Sequence, residues 1–279
     1  MMTKSERDTY EFVSITESSS AFDDLEKMSV HSIVTSMNQE DKKVAEAVEK
    51  ALPEIEQLIE LIFSRMEKGG RVFYLGAGTS GRLGVLDASE LPPTFGVPDT
   101  MVIGLIAGGD RALRKAVEAA EDDPEMAWSE LQEYNINTLD TVIGIAASGT
   151  TPYVVGGLKR ARQHGILTSC ITCNPDSKIA MEAEYPLVVV VGPEFVTGST
   201  RLKAGTAQKM VLNIITTTLM IKLGKVKGNK MVNMQLTNKK LVERGTRMLM
   251  DELGLSQDEA RDKLIKYGSV NKAIEALKA

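Results

Sequence analysis

Five short apolar runs, each followed by a stretch with helical spacing, constrain this chain more than any other feature. They are Val72–Leu75, Met101–Ile106, Thr141–Ala146, Leu167–Thr172 and Leu187–Val191. None alternates with polar residues, as a strand with one wetted face would. Strands of this kind, separated by helices, predict an α/β fold: a parallel sheet covered on both faces. The covering helices are expected over Ser80–Glu90, Arg111–Glu121, Tyr153–His164 and Leu202–Leu223.

The flanks read differently. Residues 1–35 are polar, with a Ser18–Ser20 run, and suggest an arm or an irregular cap. From Asn38 the spacing turns helical: Val44, Ala47, Val48 and Ala51 share one face. A second helix from Pro53 to Met66 carries Ile55, Leu58, Ile59 and Ile62, with Pro53 suited to its first turn and Gly69-Gly70 to its end. Beyond Gly228 the strand-like runs cease. Residues 238–279 read as short amphipathic helices punctuated by Gly254 and Gly268. Three regions are therefore expected: an N-terminal arm with helices (1–60), a sheet domain (61–224) and a small C-terminal helical appendage (225–279).

Composition narrows the function. Hydrophobic residues at 43% and charged residues at 25% suit a globular chain rather than a disordered one. A net charge of -5 argues against a nucleic-acid partner. The runs Val102–Ile106 and Leu187–Val191 are too short to cross a bilayer, so no membrane partner is expected. The N-terminal MMTKSERDTYEF has no apolar core of a secretory signal, so the expected location is cytoplasmic. Cys170 and Cys173 have C-x-x-C spacing, but on a strand residues three apart point to opposite faces. A zinc site would need a second ligand pair, and the chain has only His31 and His164. Two core or near-surface thiols are expected, with no metal site.

The strongest local signal is Leu75-Gly76-Ala77-Gly78-Thr79-Ser80-Gly81-Arg82, which ends a strand and opens a helix. Gly78 lets the backbone approach an anion, the helix N-terminus offers free N–H groups, and Thr79 and Ser80 add hydroxyls. The glycine spacing also fits a dinucleotide loop, but no strand-terminal acid follows about 20 residues on, and the lysine of a triphosphate loop is missing. A second hydroxyl loop, Ala147-Ser148-Gly149-Thr150-Thr151-Pro152, ends another strand, and a third, Val196-Thr197-Gly198-Ser199-Thr200-Arg201, precedes a long helix. One such loop could be a helix cap and nothing more. Several at one sheet edge point to a phosphate or sugar-phosphate site.

Two acids complete the pattern. Glu90 follows Leu83 and Leu86 at helical spacing, in line with an apolar stripe, and Pro92 should end its helix. Glu121 closes the next helix on the flank of the Leu113–Val117 face. Its neighbours Glu118, Asp122 and Asp123 would raise its pKa toward the range useful for general acid/base work. Two semi-buried glutamates near phosphate loops suggest proton transfer at carbon.

The segments LGAGTSGRLGVLDASELPPTFGV, GLIAGGDRALRKAVEAAEDD, GIAASGTTPYV, VVGPEFVTGSTRLKAGTAQK and KVKGNKMVNMQLTNKKLVERG resemble the N-acetylmuramic acid 6-phosphate etherases, from about residue 20 to the end. The resemblance implies a sugar isomerase (SIS) fold, a five-stranded parallel sheet between helices. It implies a sugar-phosphate substrate, no metal or organic cofactor, and a homodimer with the site near the subunit interface. The glutamate of DASE, here Glu90, becomes the acid at the leaving lactate. That of AEDD, here Glu121, becomes the base at C2. The substrate- and phosphate-binding set it implies is Gly78, Thr79, Ser80, Ser148, Gly149, Thr150, Glu194, Ser199 and Lys203. Leu91 stands where many members carry cysteine, and Thr150 where they carry arginine, so the phosphate grip would rest on hydroxyls and N–H groups. The related glucokinase regulatory protein shares parts of this pattern without being an enzyme. An SIS-type isomerase and a non-catalytic sugar-phosphate sensor therefore stand as alternatives, although no basic recognition helix of a sensor's effector domain is present.

Overall fold

The computed structural model describes residues 14–115 and 117–278. Residues 1–13 of the expected arm, Ala116 within the expected helix 111–121, and Ala279 lie outside them. After two single 3₁₀ turns come α1 (Val30–Glu49) and α2 (Leu52–Met66), followed by β1 (Val72–Gly76), α3 (Gly78–Phe95), β2 (Val102–Ile106) and α4 (Gly109–Arg114). Next are α5 (Met126–Glu133), β3 (Thr141–Ile145), α6 (Pro152–Gln163), β4 (Leu167–Thr172), α7 (Lys178–Glu182), β5 (Tyr185–Val188) and α8 (Lys203–Lys222). A two-residue hairpin, β6 (Val226–Lys227) with β7 (Lys230–Met231), leads to α9 (Lys239–Leu253), α10 (Gln257–Tyr267) and α11 (Val270–Lys278).

The five main strands form one parallel sheet in the order β2-β1-β3-β4-β5. Side chains alternate across it, so each strand feeds two cores. Tyr74, Ile143, Ile171 and Leu187 pack under α1, α2, α3 and α8, while Phe73, Leu75, Val142 and Cys170 pack under α5 and α6. Burying each large aliphatic or aromatic side chain stabilises the fold by about 1.5–3 kcal/mol. A third core, built on Met234, Leu249, Leu264 and Ile274, belongs to α9–α11. Gly254 and Gly268 end α9 and α10 in the left-handed region, and a Ser256–Glu259 capping box opens α10.

Four boundaries differ from the sequence expectation, each for a physical reason. Helix α1 begins at Val30, eight residues before Asn38, because Ser29 caps it by accepting from the Ser32 N–H. Strand β5 runs Tyr185–Val188 rather than Leu187–Val191; Pro186 is tolerated on this edge strand. Helix α3 carries Pro92 and Pro93 inside it and ends only at Gly96 (φ 67), because Leu91 and Phe95 are anchored in the core on either side of the prolines. The expected helix 111–121 is broken: α4 stops at Arg114, and Glu118–Asp122 forms a separate 3₁₀ turn. Val117 and Ala120 dock on Gly108, where a Cβ would sit 2.9 Å from the Val117 side chain, and that contact overrides helix propensity.

Cys170 and Cys173 lie on opposite faces of the sheet, one in each core, as their strand spacing predicts. Burial pushes both thiols up to about 12, in Cys173 with the help of the Glu194 charge, so neither forms the reactive thiolate near neutrality. A thiol reagent at pH 8 should therefore label neither cysteine in the native protein and both in denaturant. Fast labelling of the native protein would contradict this burial.

Candidate active site

Strands β1 and β3 are neighbours, with Gly76 paired to Ile145 at their carboxyl ends. The chain leaves β1 for β2 on one flank and returns to β3 on the other. Strand order reverses between them, which is where open parallel sheets take ligands. The first hydroxyl loop, Gly78 to Ser80, is the opening turn of α3, and its first helical bond runs from the Gly81 N–H to the Ala77 carbonyl at 3.1 Å. The amides of Gly78, Thr79 and Ser80 thus precede the helical ladder. Beside them the Ser148 and Thr150 hydroxyls lie 3.1 Å apart, both half-buried. Between them Gly149 has φ 73 and touches Ser177 so closely that a Cβ would lie 2.3 Å from its side chain.

Neither α3, α6 nor α8 takes a side-chain cap from its hydroxyl segment, so the capping explanation of these loops does not hold. Ser80 is nonetheless committed inward: its hydroxyl donates to Gln208 Oε1 at 2.9 Å and is buried. What this loop presents to a ligand is Thr79 and the amides. Residues 14–22 strap across the same sheet edge. Ile15 and Thr16 amides donate to Asn174 Oδ1, Asn174 Nδ2 donates to the Ala147 carbonyl, and Ser20 bonds Thr197 and Phe195. The described part of the expected arm is thus a cap.

The third segment is built differently. Glu194, 1% exposed, accepts from the Lys203 and Ala204 amides at 2.9 Å each, so a carboxylate of the chain itself already fills the N-terminus of α8. Lys203 is buried too, and its Nζ donates to Glu40 of α1 at 2.6 Å. Burial would raise the Glu40 carboxyl, but the Lys203 and Lys43 bonds and charges outweigh it and hold it below its usual range. Ser199 closes a backbone turn, accepting at its carbonyl from the Leu202 N–H. Glu194 and Lys203 are therefore engaged in holding the amino end of α8 and α1 together.

The structure separates the two candidate acids. Helix α3 runs back down the sheet: Gly81 lies against Gly76, and Gly84 against Tyr74. Glu90 is ten residues beyond Ser80, about 15 Å along the axis, level with the amino end of β1. It is exposed rather than semi-buried, and Leu86 of its stripe is 48% exposed. The buried face of α3 is instead Gly81, Gly84, Asp87, Ala88 and Leu91, whose small residues let the helix approach the sheet closely. Glu121 is also exposed, but its 3₁₀ turn packs against α6, at the carboxyl edge of the sheet. Gly156 of α6 lets that crossing pass, since a Cβ there would lie 1.8 Å from the Pro124 carbonyl oxygen. Glu121 thus stays with the loops, and Glu90 does not.

One polar cluster escaped the sequence reading. Asp87 is buried and accepts from Tyr74 Oη (3.2 Å), Asn213 Nδ2 (2.8 Å) and Thr216 Oγ1 (3.2 Å). Burial lifts its carboxyl above the usual range against these donors and the Lys209 charge. An acid spaced four residues before Leu91 and three after Gly84 was the available signal.

The SIS domain family matches residues 114–218, and the glucokinase regulatory protein N-terminal SIS domain family matches residues 54–162. A phosphoheptose isomerase from Francisella tularensis superposes with a TM-score of 0.57 at 17% identity, over 70% of this chain and 100% of that one, a likeness of fold. The N-acetylmuramic acid 6-phosphate etherase of Bacteroides fragilis is 64% identical over 96% of this chain and 95% of its own length. That of Porphyromonas gingivalis is 63% identical over 96% and 97%. With the five-stranded parallel sheet, the paired loops at its switch point and near-full-length identity at this level, the chain belongs to the N-acetylmuramic acid 6-phosphate etherase family.

Proposed function

We propose that this chain cleaves the D-lactyl ether of N-acetylmuramic acid 6-phosphate, giving N-acetylglucosamine 6-phosphate and D-lactate. The observation that carries the reading is the pair of loops at the switch point, whose amides and hydroxyls are not taken up by helix caps. A dianionic phosphate suits such donors. In the open-chain aldehyde form, the C1 carbonyl acidifies the C2 proton, which Glu121 removes. The C3–O bond then breaks, Glu90 protonates the departing lactate oxygen, and a C2=C3 double bond conjugated to the aldehyde remains. Water adds its oxygen at C3 and a proton returns to C2, so one water enters for each lactate released. A phosphorylated substrate of this kind places the activity in the cytoplasm.

Within one protomer Glu90 stands too far down α3 to meet a sugar held at the loops. A two-fold homodimer formed through the α3–α8 face, where Leu86 is exposed, resolves this. An isologous contact between antiparallel copies sets the carboxyl half of one α3, which carries Glu90, beside the carboxyl sheet edge of the other. Glu90 then serves the partner's loops. Purified protein should release D-lactate stoichiometrically with N-acetylglucosamine 6-phosphate. Tight binding without release would leave a sensor, and conversion to a ketose without lactate would leave an isomerase.

A further inference from the structure

The substrate of the proposed reaction carries two anions, a phosphate at one end and the lactyl carboxylate on the group that leaves. The loops at the switch point provide for the first. The second needs a cation beside Glu90, where the lactate departs.

Glu90 opens into a groove of about 340 Å³ between α3 and α8, lined by Leu83, Leu86, Asp87, Lys209, Leu212 and Asn213. Lys209 is the cation of that lining. It is exposed, and among the described residues it makes no ion pair. It is nevertheless held in place. Its Nζ donates to Asn213 Oδ1 at 2.5 Å, and Asn213 Nδ2 donates to Asp87 Oδ1 at 2.8 Å. The amide can point only this way, since reversing it would set an NH₂ against the ammonium and a carbonyl against the carboxylate. Asp87 is in turn fixed by Tyr74 and Thr216 from β1 and α8. The buried acid thus orients the lysine through the asparagine and leaves its remaining donors free. A solvated surface lysine would have no such chain behind it.

We propose that Lys209 binds the lactyl carboxylate of the substrate and so selects for an acidic leaving group, with Asn213 and Asp87 positioning its ammonium. The inference rests on the etherase reading above. The charged and polar groups that line the groove with Lys209 are Glu90, Asp87 and Asn213, and Asp87 is already saturated by three donors. A carboxylate arriving beside Glu90 gains a charge-assisted hydrogen bond that the lysine has not already given to an acid.

The test compares two substrates, N-acetylmuramic acid 6-phosphate and its lactyl carboxamide, on wild type, Lys209→Met and Lys209→Arg. Wild type should prefer the carboxylate by about ten- to a hundredfold in kcat/KM, the worth of one hydrogen bond to a charged group. Lys209→Met should process the two equally, and Lys209→Arg should restore most of the preference. Affinity for N-acetylglucosamine 6-phosphate, which has no lactyl group, should be the same in all three, which also certifies their fold. A wild type with no preference, or a methionine variant that keeps it, overturns the proposal. A wild type that releases no lactate from either compound overturns the etherase reading instead.

Discussion

Glu90→Gln is expected to keep its fold and lose about a hundred- to ten-thousandfold in lactate release, the usual range for a general acid. The side chain is exposed and has no hydrogen-bond partner among the described residues, so the amide replaces it without a cavity or a lost contact. Thermal stability should therefore match wild type, and only the step needing a proton at the lactate oxygen should suffer. Proton removal at C2 does not need Glu90. In D₂O the variant should still exchange deuterium into C2 of unreacted substrate while releasing almost no lactate. Wild-type release by the variant would remove Glu90 from the reaction, and loss of exchange together with release would make it a binding residue rather than an acid.

The sheet was legible because its signal is local: five short apolar runs without polar alternation, separated by helices, are satisfied by a doubly covered parallel sheet. All five strands lie within three residues of their expected positions. The loops were legible for the same reason, since glycine and hydroxyl residues at strand ends are decided by neighbours in sequence. What could not be read is what packing decides. The Leu83–Leu86–Glu90 stripe suggested the buried face of α3, yet the helix presents Gly81, Gly84 and Ala88 to the sheet, leaves Leu83 only half-buried and turns Leu86 outward. A leucine left exposed in the protomer, such as Leu86, looks the same in sequence as one in a core. Glu194 and Lys203 are likewise charged residues flanking a hydroxyl loop, and only coordinates reveal that their partners are the α8 amides and Glu40, 163 positions away from Lys203. The break after Arg114 depends on Val117 meeting Gly108, again a contact and not a propensity.

Glu121→Gln should abolish both lactate release and deuterium incorporation at C2, because the base acts before any bond to lactate breaks. The contrast with Glu90→Gln, where exchange survives, orders the two steps. The same two variants report on the geometry between subunits. Glu121 stays at the carboxyl edge with the switch-point loops, whereas Glu90 lies in the carboxyl half of α3, level with the amino edge of the sheet, so in the proposed homodimer the pair that meets one sugar comes from different protomers. Neither homodimer of variants has a complete site. Equal amounts of the two, dissociated and reassociated, should form mixed dimers in half of the population, each with one intact site and one doubly defective site. Activity should return to about a quarter of wild type, as a closed two-fold arrangement requires. If both glutamates served their own protomer, every site in every mixed dimer would lack one of them, and mixing would restore nothing. Recovered release therefore measures the crossing of Glu90 from one copy to the other, and its absence, with both variants folded and dimeric, refutes that crossing.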